Sequence, residues 1–142
     1  MQLVLDTNIL LAALIRSSNT RLILLHPSFR FFLHEHALQE LAKHKNLVVQ
    51  KSGISGDRLE LLLDMLLEQV TIVPAELCEP SLAEARRIMD PIDPHDAPFL
   101  ALALSFQNDG LWTQDRDFGR QQIVRIWKTE DLLRLLTEGK IR

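Results

Sequence analysis

Short apolar runs alternate with amphipathic ones along this chain. Gln2-Leu3-Val4-Leu5 is a compact apolar run and reads as a first strand. Asp6-Thr7-Asn8 follow it, residue types favoured where helices begin, and they open an apolar helical run over 9–15. A short helix is predicted over 20–25, stopped by Pro27. Arg30-Phe31-Phe32-Leu33 reads as a second strand, followed by a helix over 37–45. Residues 51–57 read as a loop. The spacing of Leu59, Leu62, Leu63, Leu66 and Leu67 predicts a helix over 58–68 with one core-facing stripe. The β-branched run Val70-Thr71-Ile72-Val73 predicts a third strand. Helices over 81–89 and 94–107 follow, then strands over 110–113 and 123–127. A last helix runs to Leu136, with Thr129 as its cap.

Strands separated by helices predict a parallel sheet of about five strands inside a three-layer α/β/α sandwich. Such sheets carry their sites at the carboxyl ends of the strands. The 142 residues suit one domain over 1–142. The lone Cys78 excludes an internal disulfide and reads as inert, consistent with a reducing compartment. No run reaches the ~20 apolar residues of a membrane span. The start of the chain lacks a basic segment and places Asp6 where a leader would be apolar. The expectation is a cytoplasmic protein. The net charge of −3 argues against a broad phosphate-binding footprint but leaves room for a nuclease, because divalent cations offset a local acidic cluster.

The acids fall where such a site is expected. Asp6 ends the first strand, and Asp115 and Asp117 follow the fourth. Asp93 and Asp96 open the helix before it, and Glu40 lies in the helix after the second. Gathered carboxylates repel one another, and a hard divalent cation, Mg²⁺ or Mn²⁺, relieves that. Each acid also has a structural reading. Asp6 suits a helix cap. Asp93 before Pro94 suits a cap with proline at the first helical position, which leaves Asp96 favoured by the helix dipole. Glu40 suits a solvated helix face, and Asp115 and Asp117 suit a turn. The functional reading rests on their convergence. A phosphatase with a nucleophilic Asp and a second acid two residues on does not fit, because position 8 is Asn.

Other features read as structure. His34-Glu35-His36 offers two zinc ligands at most and reads as a polar strand end; His95 reads as a solvated helix start. Trp112 is expected in the core, and Trp127 in the core or at an interface. Arg16, Arg21 and Arg30, like Arg120, Arg125 and Lys128, read as surface charge. Arg116, beside the acids, is placed to contact a substrate phosphate.

Four segments carry a family resemblance. They are Leu3-Val4-Leu5-Asp6-Thr7-Asn8-Ile9-Leu10, Glu40-Leu41, the stretch from Asp93-Pro94-His95-Asp96 through Ala103, and Leu111-Trp112-Thr113-Gln114-Asp115-Arg116-Asp117-Phe118. In this order and at these distances, the chain resembles the PIN-domain family of nucleases. The resemblance implies Mg²⁺- or Mn²⁺-dependent cleavage of nucleic acid, most often single-stranded RNA. It places the family's acids on Asp6, Glu40, Asp96 and Asp115, with Asp117 joining Asp6, Asp96 and Asp115 at the metal. Glu40 is preferred over Glu35 because the family's Glu sits inside its helix with Leu after it. Thr7, Asn8 and Thr113 would steady the carboxylates. Many small members are toxins that dimerise and are blocked by an antitoxin, so a homodimer and an inhibitor partner are further expectations. The alternative is a catalytically silent module that acts through protein contacts.

Overall fold

The computed structural model describes residues 1–15 and 18–140, so Arg16 lies outside the described residues. Strands β1 (Gln2–Leu5), β2 (Arg30–His34), β3 (Val70–Val73), β4 (Leu111–Trp112) and β5 (Ile126–Trp127) form an all-parallel sheet in the order β3-β2-β1-β4-β5. The helices are α1 (Thr7–Ile15), α2 (Ser18–Leu25), α3 (His36–Lys43), α4 (Lys45–Ser52), α5 (Gly56–Leu66), α6 (Ala75–Met89), α7 (Ala97–Ser105) and α8 (Thr129–Thr137). Among the described residues no single helix is long and apolar enough to cross a membrane.

Connection handedness sorts the helices into layers. Steps from β1 to β2 to β3 run one way along the sheet, and the step from β3 to β4 runs back across it. Right-handed crossovers therefore place α1–α5 on one face and α6–α7 on the other. Packing agrees: α1 touches α2, α3, α4 and α5, α2 touches α8, and α7 touches α6, β1 and β2. The expected α/β/α sandwich is the observed one. Leu3, Val4 and Leu5 are fully buried, as a central strand covered on both faces requires. Neighbouring side chains of β2 serve opposite layers. Phe31 joins Phe29 and Trp112 in ring contacts of 5.6 Å, and the Trp112 indole N–H donates to Thr129 Oγ1 (3.1 Å) at the start of α8. Phe32 instead meets Phe106, just past the end of α7, at 4.7 Å.

Several boundaries differ from the sequence reading, each for a local reason. Residues 45–52 form α4, closed by Gly53 in the left-handed conformation (φ 70°), and α5 begins at Gly56, so only the middle of the predicted loop, 53–55, is loop. Helix α6 begins at Ala75 and runs through Pro80, giving up the one bond that the ring nitrogen cannot donate. The α7 region opens with a 3-10 turn over Pro94–Asp96 and ends at Ser105. The fifth strand shrinks to Ile126–Trp127 because the buried Gln121 side chain accepts from the backbone N–H groups of Ile123 (2.9 Å) and Val124 (2.8 Å). Thr129 is the first residue of α8 rather than its cap. Lys128 takes the cap position, its N–H donating to Asp131 Oδ2 at 2.9 Å. Trp112 is core as expected. Trp127 is buried at the sheet edge, with the Arg125 guanidinium 3.9 Å from its ring centre.

The switch in connection direction falls between β1 and β4, and this is where a parallel α/β sheet opens a crevice at its carboxyl edge. Gly110 sets the approach of β4 to its neighbours. Its φ is 130°, and an added Cβ would lie 2.4 Å from the Arg125 carbonyl oxygen. Gly110→Ala is therefore expected to destabilise the fold by about 1–3 kcal/mol or more, read by urea unfolding. An unchanged midpoint would show that β4 and β5 separate freely.

Candidate active site

Strand β1 pairs with β4 so that Leu5 faces Trp112, and the next residue of each strand, Asp6 and Thr113, emerge side by side at the switch point. Asp6 is only 3% exposed. Its Oδ1 accepts from the Ile9 N–H at 3.1 Å, so it does cap α1. Its Oδ2 accepts from the Thr113 hydroxyl. The Thr113 oxygen accepts in turn from the Asp115 N–H (2.9 Å), and Asp115 Oδ1 accepts from the Asp117 N–H (2.9 Å). A continuous chain of bonds thus runs from Asp6 to Asp117, and each turn residue orients the next.

The other wall of the site comes from the start of α7. Asp93 Oδ1 accepts from the His95 N–H (3.0 Å), and the Asp93 carbonyl accepts from the Asp96 N–H (3.2 Å). Oxygens of Asp93, Asp96 and Asp117 lie within 4.8 Å of one another. Asp96 Oδ2 is buried and has no hydrogen-bond partner. Asp93 is thus the helix cap the sequence suggested and also a member of the cluster. The three-residue spacing from Asp93 to Asp96 was the available signal, because one turn brings such residues to one side.

The electrostatics follow from burial and crowding. Burial pushes the Asp6 carboxyl up to about 6. The bonds from Thr113 and Ile9 oppose this, and the Asp115 charge adds to it. Burial also pushes Asp96 up, to about 7, assisted by the charges of Asp115, Asp93, Asp6 and Asp117. The ion pairs among the described residues all lie elsewhere, so no lysine, arginine or histidine nitrogen within 4.0 Å offsets these five acids. An all-oxygen cluster with an orphaned buried oxygen and no protein cation fits a hard divalent ion.

The remaining candidates take distinct places. Glu40 Oε1 accepts from Thr7 Oγ1 (3.1 Å) and lies 3.8 Å from His36 Nε2. It is therefore tied to the residue after Asp6, while the tight three-oxygen group is formed without it. Glu35 is engaged elsewhere, because its Oε1 accepts from the Ala75 N–H (2.7 Å) at the start of α6. The Asn8 side chain is exposed, and its contribution to Asp6 comes from the backbone N–H. Arg116 is exposed on the turn between Asp115 and Asp117. His95 is exposed, and Cys78 is buried, with its thiol pushed up by burial, in keeping with an inert residue.

Fold and acid cluster together define an α/β/α protein with an acidic site at its switch point. The PIN domain family model matches residues 4–137, and the chain belongs to that family. A structure of similar fold is VapBC2 from Rickettsia felis bound to a DNA fragment from their promoter. It aligns with TM-score 0.69 and 20% identity, over 90% of this chain and 98% of that one. A search of curated proteins gives no match.

The raised carboxyls set a sign for stability against pH. Folded Asp6 and Asp96 keep their protons up to about 6 and about 7, whereas unfolded ones lose them near ~3.9. The folded state therefore binds more protons in that window, and stability falls as pH rises through it. In chelator, the Tm is expected to drop between pH 5 and pH 8, with a smaller drop in Asp96→Asn. Mg²⁺ or Mn²⁺ should restore the Tm at pH 8 and change it little at pH 5. Equal pH slopes in the wild type and in Asp96→Asn would contradict this account.

Proposed function

We propose that this chain is a divalent-metal-dependent nuclease that cleaves single-stranded RNA. The observation that carries the reading is the buried, unpartnered Asp96 Oδ2 among five aspartates that form no ion pair among the described residues. In this reading Asp6, Asp96, Asp115 and Asp117 hold Mg²⁺ or Mn²⁺, and Asp93 joins them because its oxygen lies with those of Asp96 and Asp117. When bound, the ion supplies the positive charge that makes a phosphodiester electrophilic and a water acidic.

The chain's own groups do the rest. Thr113 locks the Asp6 carboxylate with one bond and the Asp115 turn with another, so both are held in place before substrate arrives. Thr7 holds Glu40 by one oxygen and leaves the other free to take a proton from the attacking water. Arg116, exposed between two of the acids, contacts a phosphate oxygen of the strand. The family's usual activity supports RNA as the substrate class. The likeness in fold to VapBC2 supports an antitoxin-type inhibitor as a partner within the same proposal.

The test is cleavage of a mixed RNA pool by purified protein with Mg²⁺, Mn²⁺ or chelator. Wild-type protein is expected to cut only with metal. Asp6→Asn and Asp96→Asn are each expected to lose about 100-fold or more. The Asp96→Asn protein should lose activity while its metal-free form is no less stable at pH 8, which separates a site defect from unfolding. Cleavage that survives both substitutions would sink the assignment. A folded, metal-binding protein that cuts no RNA would favour the silent interaction module.

A further inference from the structure

The His34-Glu35-His36 segment at the end of β2 borders a second feature of the carboxyl edge. A cleft of about 270 Å³ opens there between α3, α6 and the start of α7. Its volume is near the lower end of the ~300–1,000 Å³ usual for small-molecule sites, room for one aromatic ring system with its attachments. Leu82, Ala97 and the two prolines Pro94 and Pro98 give it apolar walls, and Gln39, Glu79 and Arg86 add exposed polar groups.

Its position relative to the acids follows from the sheet. Leu5 pairs with Leu33, so Asp6 and His34 are the next residues of adjacent strands, and His34 pairs with Val73 of β3. The acids rise over β1 and β4, and the cleft rises over β2 and β3, one or two strand spacings of ~4.8 Å away. The start of α7 serves both. Pro94 and Ala97 line the cleft, while Asp93 and Asp96, each adjacent to one of them, face the acid cluster.

The polar groups are of mixed sign, which suits a base better than a bare phosphate. His34 is buried, and its Nδ1 accepts from the His36 N–H (3.0 Å), so the ring proton sits on Nε2 as a hydrogen-bond donor. Gln39 can donate and accept, and Glu79 accepts. Among the described residues no carboxylate lies within ion-pair distance of Arg86, whereas the next residue, Arg87, is paired with Glu84 (3.6 Å). Arg86 is thus a cation free at the rim.

The geometry points to a nucleotide subsite: the cleft takes one unpaired base of the substrate strand, next to the phosphodiester held at the acids, with Arg86 on the flanking phosphate. Single-stranded nucleic acid is commonly read in this way, by an unstacked base seated against flat side chains and hydrogen-bonded along its edge. The inference rests on the nuclease reading for its position along the strand, but not for binding itself. Gln39, Glu79 and Arg86 would then set the base preference beside the cut.

The probe is the set of four ribonucleoside 5′-monophosphates, titrated into the protein in chelator and followed by NMR of the imidazole and backbone signals. At least one nucleotide is expected to shift His34, His36 and Ala97. Gln39→Ala and Arg86→Ala should each weaken its binding by about tenfold, and Arg87→Ala should leave it unchanged. The three substituted residues are exposed, so the variants should fold. A parallel cleavage of a randomised single strand should show a base preference at one position beside the cut, flattened by Gln39→Ala and Glu79→Gln. Nucleotide shifts confined to the cleft in a protein that cuts nothing would support the subsite and remove the nuclease reading. Absence of shifts in the cleft, or equal weakening by Arg86→Ala and Arg87→Ala, would overturn the subsite even if RNA is cut.

Discussion

The pairing of β1 with β4 is the constraint on which the carboxyl edge depends. It joins segments more than a hundred residues apart and brings the Thr113 hydroxyl to the Asp6 carboxylate. Without that bond, Asp6 would be a buried anion held only by the start of α1. With it, Thr113 is fixed at both lone pair and proton, and the turn that carries Asp115 and Asp117 is fixed in turn. The two-residue length of β4 is therefore no weakness. Its role is to deliver one hydroxyl to one carboxylate, and the Trp112 bond to Thr129 anchors it from the α8 side.

The site is organised by neutral donors rather than by cations. Backbone N–H groups at the starts of α1, the α7 turn and the Asp115 turn each take one carboxylate oxygen. The bonds to Asp6 lower its proton affinity but burial outweighs them, and Asp96, with a buried oxygen that has no partner, is raised by burial and by the neighbouring charges. A lysine or arginine would have neutralised the cluster and also filled the space a metal needs. The fold instead accepts a standing electrostatic cost at neutral pH, the kind of local inconsistency expected at a functional site.

Most of this is legible in the sequence, and the exceptions have local causes. The first three strands are plain because each is a short run of apolar or β-branched residues, and β1 through β3 match their predicted cores. Asp6, Asp96 and Asp117 reach the predicted edge because each lies next to a strand end or a helix start. Helix α4 is hidden because its segment, Lys45-Asn46-Leu47-Val48-Val49-Gln50-Lys51-Ser52, lacks a clear apolar stripe; only Val48 is buried. The start of α6 is hidden behind Pro80, which usually marks a boundary. The fifth strand is overextended in the sequence reading because its apolar residues give no hint that the Gln121 side chain captures the backbone ahead of it. For Asp93, capping is a sufficient account of Asp-Pro in the sequence. Only the three-dimensional turn shows that a cap residue can also direct an oxygen into a shared site.

On the proposed reading, the two halves of the edge divide the labour that recognition of a nucleic acid strand demands. A cluster of aspartates repels a polyanion, so the acids cannot themselves recruit the strand they are proposed to cut. With a net charge of −3, the chain as a whole exerts no long-range attraction on a polyanion. On the proposed reading attraction would come from cations held at the acids and from short-range contacts beside them. The cleft over β2 and β3 has the composition for such contacts, with apolar walls, an imidazole donor, and an arginine at its rim. Binding through one seated base and one flanking phosphate gives less affinity than a basic groove, but it ties affinity to the identity of that base. On the proposed reading such a protein would discriminate mainly at the cut, and a weak general attraction for nucleic acid would follow from the same physical choice.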